Sequence, residues 1–175
     1  MDTVATSPGM IMGAVRMRRT GWLSFPFEEL AGPDGPVARL GRDSALGIFF
    51  GTGRRVLLTN GIEWRIKAAS LGRHIVPVIR SKTGTVAFAG PLGARRSYGI
   101  TGKDFGLNLV PLGKVGLRRT PRWGLLEHET RVATVDDRTR VLTAVEPIPL
   151  AAALMAFTLI THGIPGEADL VPSAS

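Results

Sequence analysis

The sequence has no cysteine. That removes disulfides, thiolate metal sites and cysteine nucleophiles together. Aromatic residues are sparse at 6%, with a single Tyr, and Lys is rare, since 18 of the 22 basic residues are Arg. The last stretch, 141–175, has no Lys or Arg and only three acids, Glu146, Glu167 and Asp169. All 22 basic residues and 11 acids precede it, so a body of net charge +11 is followed by a segment of −3. With 44% hydrophobic and 21% charged residues the chain is neither disordered nor, lacking a Gly-X-Y period, collagen-like. Its 175 residues suit one domain able to bury roughly 70% of its unfolded surface.

Targeting signals are missing as well. No basic residue precedes the modest apolar patch Met10-Ile11-Met12, and Arg18-Arg19 leads into Glu28-Glu29 rather than into a long apolar run. The default location is cytoplasmic. From Ile148 to Ile164, however, the chain reads IPLAAALMAFTLITHGI, seventeen residues with no formal charge when His162 is neutral. A spanning helix needs roughly 17–25 apolar residues. This one is apolar on nearly every face, so protein or lipid must surround it. Two readings follow: a core helix over about 149–162, or a short C-terminal membrane anchor with Arg138 and Arg140 on its cytoplasmic side.

Before Pro149 no helical period of useful length occurs. Short apolar runs recur instead, closed by Gly, Asn, Asp or Pro. Residues 1–20 carry little pattern and read as a loose segment. Trp22–Phe27 alternates, then Gly32-Pro33-Asp34-Gly35-Pro36 is turn-rich. Strands are expected at about Val37–Leu40, Leu46–Phe50, Arg54–Thr59, Ile62–Ala68, Ile75–Arg80, Thr85–Ala89, Ser97–Thr101, Phe105–Leu109, Arg122–Glu127, Thr130–Val135 and Arg140–Val145. Asn60-Gly61 predicts a type I′ hairpin. Many short hairpin-linked strands and one wholly apolar final helix imply a mainly β fold, an antiparallel β-barrel around a hydrophobic C-terminal helix. The barrel domain would span 21–165 and a tail 166–175.

Leu57-Leu58-Thr59-Asn60-Gly61-Ile62-Glu63-Trp64-Arg65-Ile66, the hairpins that follow, and Pro149-Leu150-Ala151-Ala152-Ala153-Leu154-Met155-Ala156-Phe157 together resemble the tubby-like C-terminal superfamily. That group includes LURP-one-related proteins and phospholipid scramblases. The resemblance covers about Trp22 to Ile164, and it implies a barrel that binds anionic lipid headgroups or serves as an interaction module, without catalysis. The cysteine-rich and calcium-associated features of scramblases have no counterpart here.

Chemistry-bearing motifs are weak. Gly51-Thr52-Gly53-Arg54-Arg55 lacks the Gly-Lys-Ser/Thr of a phosphate loop, and Gly102-Lys103-Asp104 has Asp where Ser or Thr is required. His74, His128 and His162 are 54 and 34 residues apart, with no thiolate to complete a tetrahedron. Asp136-Asp137 reads as a hairpin turn rather than an acid/base pair. No catalytic residue, metal or cofactor is expected.

Arginine is the feature above background. Doublets occur at Arg18-Arg19, Arg54-Arg55, Arg95-Arg96 and Arg118-Arg119, the last followed by Arg122. Neighbours on a strand face opposite sides, so doublets facing one partner belong at strand ends or in loops. Guanidinium forks bind phosphate in bidentate fashion. Clustered at one barrel end they would form an anion site; dispersed, they would only solvate the surface. Phospholipid headgroups at a membrane surface, nucleic acid and an acidic protein are the partners this chemistry admits.

Overall fold

The computed structural model describes residues 9–20, 27–42, 53–71, 74–93, 96–113 and 122–162. Among these, twelve antiparallel strands close into one barrel around one helix. The strands are β1 Met10–Thr20, β2 Phe27–Gly32, β3 Gly35–Arg42, β4 Arg54–Leu58, β5 Glu63–Leu71, β6 His74–Ser81, β7 Gly84–Pro91, β8 Tyr98–Gly102, β9 Gly106–Pro111, β10 Arg122–Glu127, β11 Thr130–Asp136 and β12 Val141–Pro149. Each pairs with its neighbours in sequence, and β1 pairs with β12 to close the ring. No free edge remains in the sheet.

Inward positions follow the two-residue period: Val56 and Leu58, Trp64 and Ile66, Leu107 and Leu109 are all buried. Twelve strands about 4.8 Å apart enclose a bore of at least roughly 18 Å, too wide for strand side chains alone to fill. α1 (Leu150–His162) fills it. Leu150 to Phe157 and Leu159 are at most 4% exposed, so the helix is enclosed on every side. It lies against β1, β6, β7, β8 and β12, and Ala87 and Ala89 on β7 leave room for its approach. Its buried hydroxyl, Thr158, donates back to the Leu154 carbonyl at 2.8 Å. Pro149 cannot extend the ladder, and the Leu150 amide turns instead to the Gly9 carbonyl at 3.0 Å. Within the described residues no helix is long and apolar enough to cross a membrane.

The N-terminal expectation needs correction. Residues up to 20 were expected to be loose, yet Met10–Thr20 is β1, and the barrel begins there rather than at 21. Its pattern is obscured by a register shift between Ile11 and Gly13 and by outward Met10 and Met12, which are exposed. The expected strand at 46–50 and the alternating segment 22–27 lie outside the described residues, apart from Phe27, which opens β2. The Asn60-Gly61 hairpin exists in a different form. Only Gly61 of the pair has positive φ (+81°), its amide donates to Leu58 at 3.0 Å, and Asn60 Oδ1 accepts from Ile62 at 3.1 Å. This is a three-residue loop with Gly in the left-handed position, not a type I′ turn.

Alternating direction gives the barrel two unlike rims. The short β2–β3, β4–β5, β6–β7, β8–β9 and β10–β11 turns lie at one, the hairpin rim, where α1 also begins. The longer β1–β2, β3–β4, β7–β8 and β9–β10 connections lie at the other, the loop rim, together with the short β5–β6 and β11–β12 links, and α1 runs towards it. At the β8–β9 turn, Phe105 lies over Gly102, where an added Cβ would come within 2.1 Å of the ring.

Two outcomes test this packing. Ending the chain at Pro149 removes Leu150, Leu154, Met155, Phe157 and Leu159, each contributing about 1.5–3 kcal/mol. It should abolish cooperative thermal unfolding and near-UV circular dichroism, whereas a cooperatively folded truncation would refute the plug. Gly102→Ala should destabilise by about 1–3 kcal/mol in urea unfolding.

A basic rim with an internal arginine clasp

The expected anion-binding arginines divide into those the topology brings together and those outside the described residues. Arg18 and Arg19 end β1, Arg54 and Arg55 begin β4, Arg96 precedes β8 and Arg122 begins β10, all at the loop rim. Arg95, Arg118 and Arg119 are not among the described residues. Arg42, which ends β3, and Arg138 and Arg140, in the β11–β12 turn, stand at the same rim; forming no doublets, they are not among the anion-site candidates read from the sequence, where Arg138 and Arg140 figure only as flanks of the apolar segment. The hairpin rim holds both signs among the described residues, Asp34, Glu63, Asp104, Glu127 and Glu129 together with Arg80, Lys82, Lys103 and Arg131. His128 lies there too, in a turn with φ 56°, and no group of three potential metal ligands occurs among the described residues.

Strand alternation sends the two members of a doublet apart. Arg54 shares the inward face of Val56 and Leu58; Glu28 shares that of Leu30. They meet at the bore's end, where Arg54 Nη1 donates to Glu28 Oε2 at 2.5 Å and Arg140 Nη1 to Glu28 Oε1 at 2.8 Å. One carboxylate thus joins β2, β4 and the β11–β12 turn. Its side chain is 17% exposed. Burial pushes the Glu28 carboxyl up, but the Arg54 and Arg140 guanidiniums more than reverse this, leaving it below the ordinary glutamate value. Arg55 points outward, donating to Glu63 Oε2 at 2.6 Å, and Arg65 lies 3.6 Å from the other Glu63 oxygen. Without Glu63, Arg55 and Arg65, directly paired across β4 and β5, would repel each other.

The other arginines are differently placed. Arg122 lies 3.8 Å from Asp136, a loose and exposed pair. Asp136 accepts the Thr139 amide at 2.9 Å, which holds its carboxyl below the usual value and closes the β11–β12 turn. It is a turn residue, as its spacing suggested. Arg18, Arg19 and Arg96 are exposed and form no ion pair among the described residues; Arg18 and Arg19 face Glu29 and Glu28 in the β1–β2 register, acids that Arg39, Arg54 and Arg140 engage. Arg96 has φ 55°, a left-handed conformation that costs a side-chain-bearing residue roughly 1–2 kcal/mol. Arg140 also adopts it (φ 55°), and its side chain serves the clasp.

Tyr98 and Trp123 face the bore below this rim, stacked with ring centroids 6.3 Å apart. Trp123 Nε1 is buried without a hydrogen-bond partner. No family model, curated protein or solved structure matches the chain.

Glu28→Gln should destabilise the barrel by about 1–3 kcal/mol at neutral pH. Because the folded carboxyl titrates below its unfolded value, its stabilisation is complete above about pH 4.5 and lost as pH falls through the lower folded value. Thermal melts of wild type and variant should therefore converge in acid. A difference between the two that stays unchanged as the pH is taken down from 4.5 to the acid limit of folding would contradict the clasp.

Proposed function

We propose that this chain is a non-enzymatic barrel module whose basic loop rim binds anionic phospholipid headgroups at a membrane surface. The observation that carries the reading is the uneven distribution of charge between the rims. Arginines outnumber acids at the loop rim, where Glu28, Glu29, Asp136 and Asp137 also stand, whereas the two signs nearly balance at the hairpin rim among the described residues. Arg18, Arg19 and Arg96 are exposed and form no ion pair among the described residues, although Arg18 and Arg19 stand opposite Glu29 and Glu28 across β1 and β2, so their donors can turn to an external phosphate. Such a field also attracts an anionic surface from a distance.

Headgroups are favoured over nucleic acid because single-stranded nucleic-acid sites pair cations with exposed aromatic platforms. Among the described aromatics at this end, Tyr98 and Trp123 are buried and the half-buried Phe27 ring is covered by Arg39. The closed barrel around a C-terminal helix supports membership of the tubby-like superfamily, and a cytoplasmic protein peripheral to the membrane fits the proposal. The anchor alternative is disfavoured by the enclosure of α1.

Co-sedimentation tests the proposal. The full chain should pellet with vesicles containing anionic lipid and not with neutral ones. Arg18→Ser with Arg19→Ser should weaken binding roughly tenfold or more, at about 1 kcal/mol per arginine. Equal pelleting on neutral vesicles, or none on either, would sink it; steep salt-dependent binding to DNA or RNA alone would favour the nucleic-acid alternative.

A further inference from the structure

The loop rim is not uniformly polar. Leu92, directly after β7, is 37% exposed, and Ile75, near the start of the adjacent β6, is 48% exposed. Phe88, on β7 itself, is 36% exposed. Leu92 is fixed in place: its amide donates to the Ser97 carbonyl at 2.8 Å, and its side chain would lie 3.4 Å from a Cβ on Gly99. That hydrogen bond links the two ends of the connection to which Arg96 belongs, so an exposed aliphatic residue and an exposed arginine share one short segment of the rim. Arg96 holds a left-handed backbone that Gly or Asn would adopt with less strain, and its side chain has no acidic partner among the described residues.

We propose that Leu92 and Ile75 insert into the interfacial layer of an anionic bilayer while Arg96 holds a headgroup phosphate beside them, making the β6–β8 side of the rim the contact edge. The inference rests on the membrane reading above and adds to it an orientation and an apolar component. Cations set beside aliphatic side chains match the layered chemistry of a bilayer interface, charge outermost and hydrocarbon beneath. Apolar insertion also resists salt, whereas a purely electrostatic contact is screened.

The lack of cysteine permits a direct test on the full chain. Leu92→Cys and, as a control at the hairpin rim, Asp104→Cys are each labelled with an environment-sensitive fluorophore and titrated with anionic vesicles. The label at 92 should shift to the blue and the one at 104 should not. In parallel, Arg96→Gly should lower vesicle affinity about fivefold without lowering the thermal midpoint. Leu92→Ser with Ile75→Ser, checked by its melt to be folded, should lose the binding that wild type retains at high salt. If wild type binds but neither label shifts, or both do, the contact edge is refuted and the headgroup proposal stands. It is likewise refuted if wild-type binding vanishes in salt as completely as the double variant's. If wild type binds no vesicles, both proposals fall.

Discussion

Filling the bore is the constraint on which this structure depends. A ring of twelve strands has no edges to protect, but it encloses more space than its own inward side chains occupy. A void of that size would forfeit dispersion contacts along every strand. The helix from Leu150 supplies the missing volume, and its composition follows from the task. A helix touched on all sides can have no polar face, so the segment that resembled a membrane span is apolar all round because it is surrounded by protein. Its one buried hydroxyl is satisfied within the helix, and Pro149 ends the strand where the chain must turn inward.

The helix also shapes the electrostatics of the ends. It starts at the hairpin rim and points its carbonyl end towards the loop rim, where arginines predominate, the sign a helix C-terminus favours. The arginines there do two kinds of work. Arg54 and Arg140 are committed to Glu28 and hold distant parts of the chain together across the mouth, while Arg18, Arg19 and Arg96 face solvent. A basic patch counted from sequence alone therefore overstates the charge available to a partner.

From β3 onward the sequence made most of the described architecture readable, because short apolar runs were closed by turns carrying Gly, Asp or Asn, even where β6 and β10 depart from strict alternation. The final helix was readable for the opposite reason, its uniformity. β1 and β2 were hidden by local exceptions. Outward Met10 and Met12 and the register shift by Gly13 break the period in β1, and inward Glu28 with a second shift near Leu30 does so in β2. In the candidate site, although Arg54 and Arg55 diverge to different carboxylates, the placement of Arg18-Arg19 and Arg54-Arg55 at strand ends was legible. The choice of partner was not: Glu28 and Arg140 are 112 residues apart, and only closure of the ring brings them together.

That closure has a temporal side. Hairpins from β2 to β11 pair residues close in sequence and can form early, as low-entropy loops do. The β1–β12 seam must join Ala14 to Thr143 and so waits for nearly the whole barrel to exist. The helix is synthesised after every strand that surrounds it. Until it arrives the strands form an open, curling sheet with an apolar inner face and two unpaired edges, a species prone to association. The barrel can become a finished object only in one late event that seats the helix and seals the seam together.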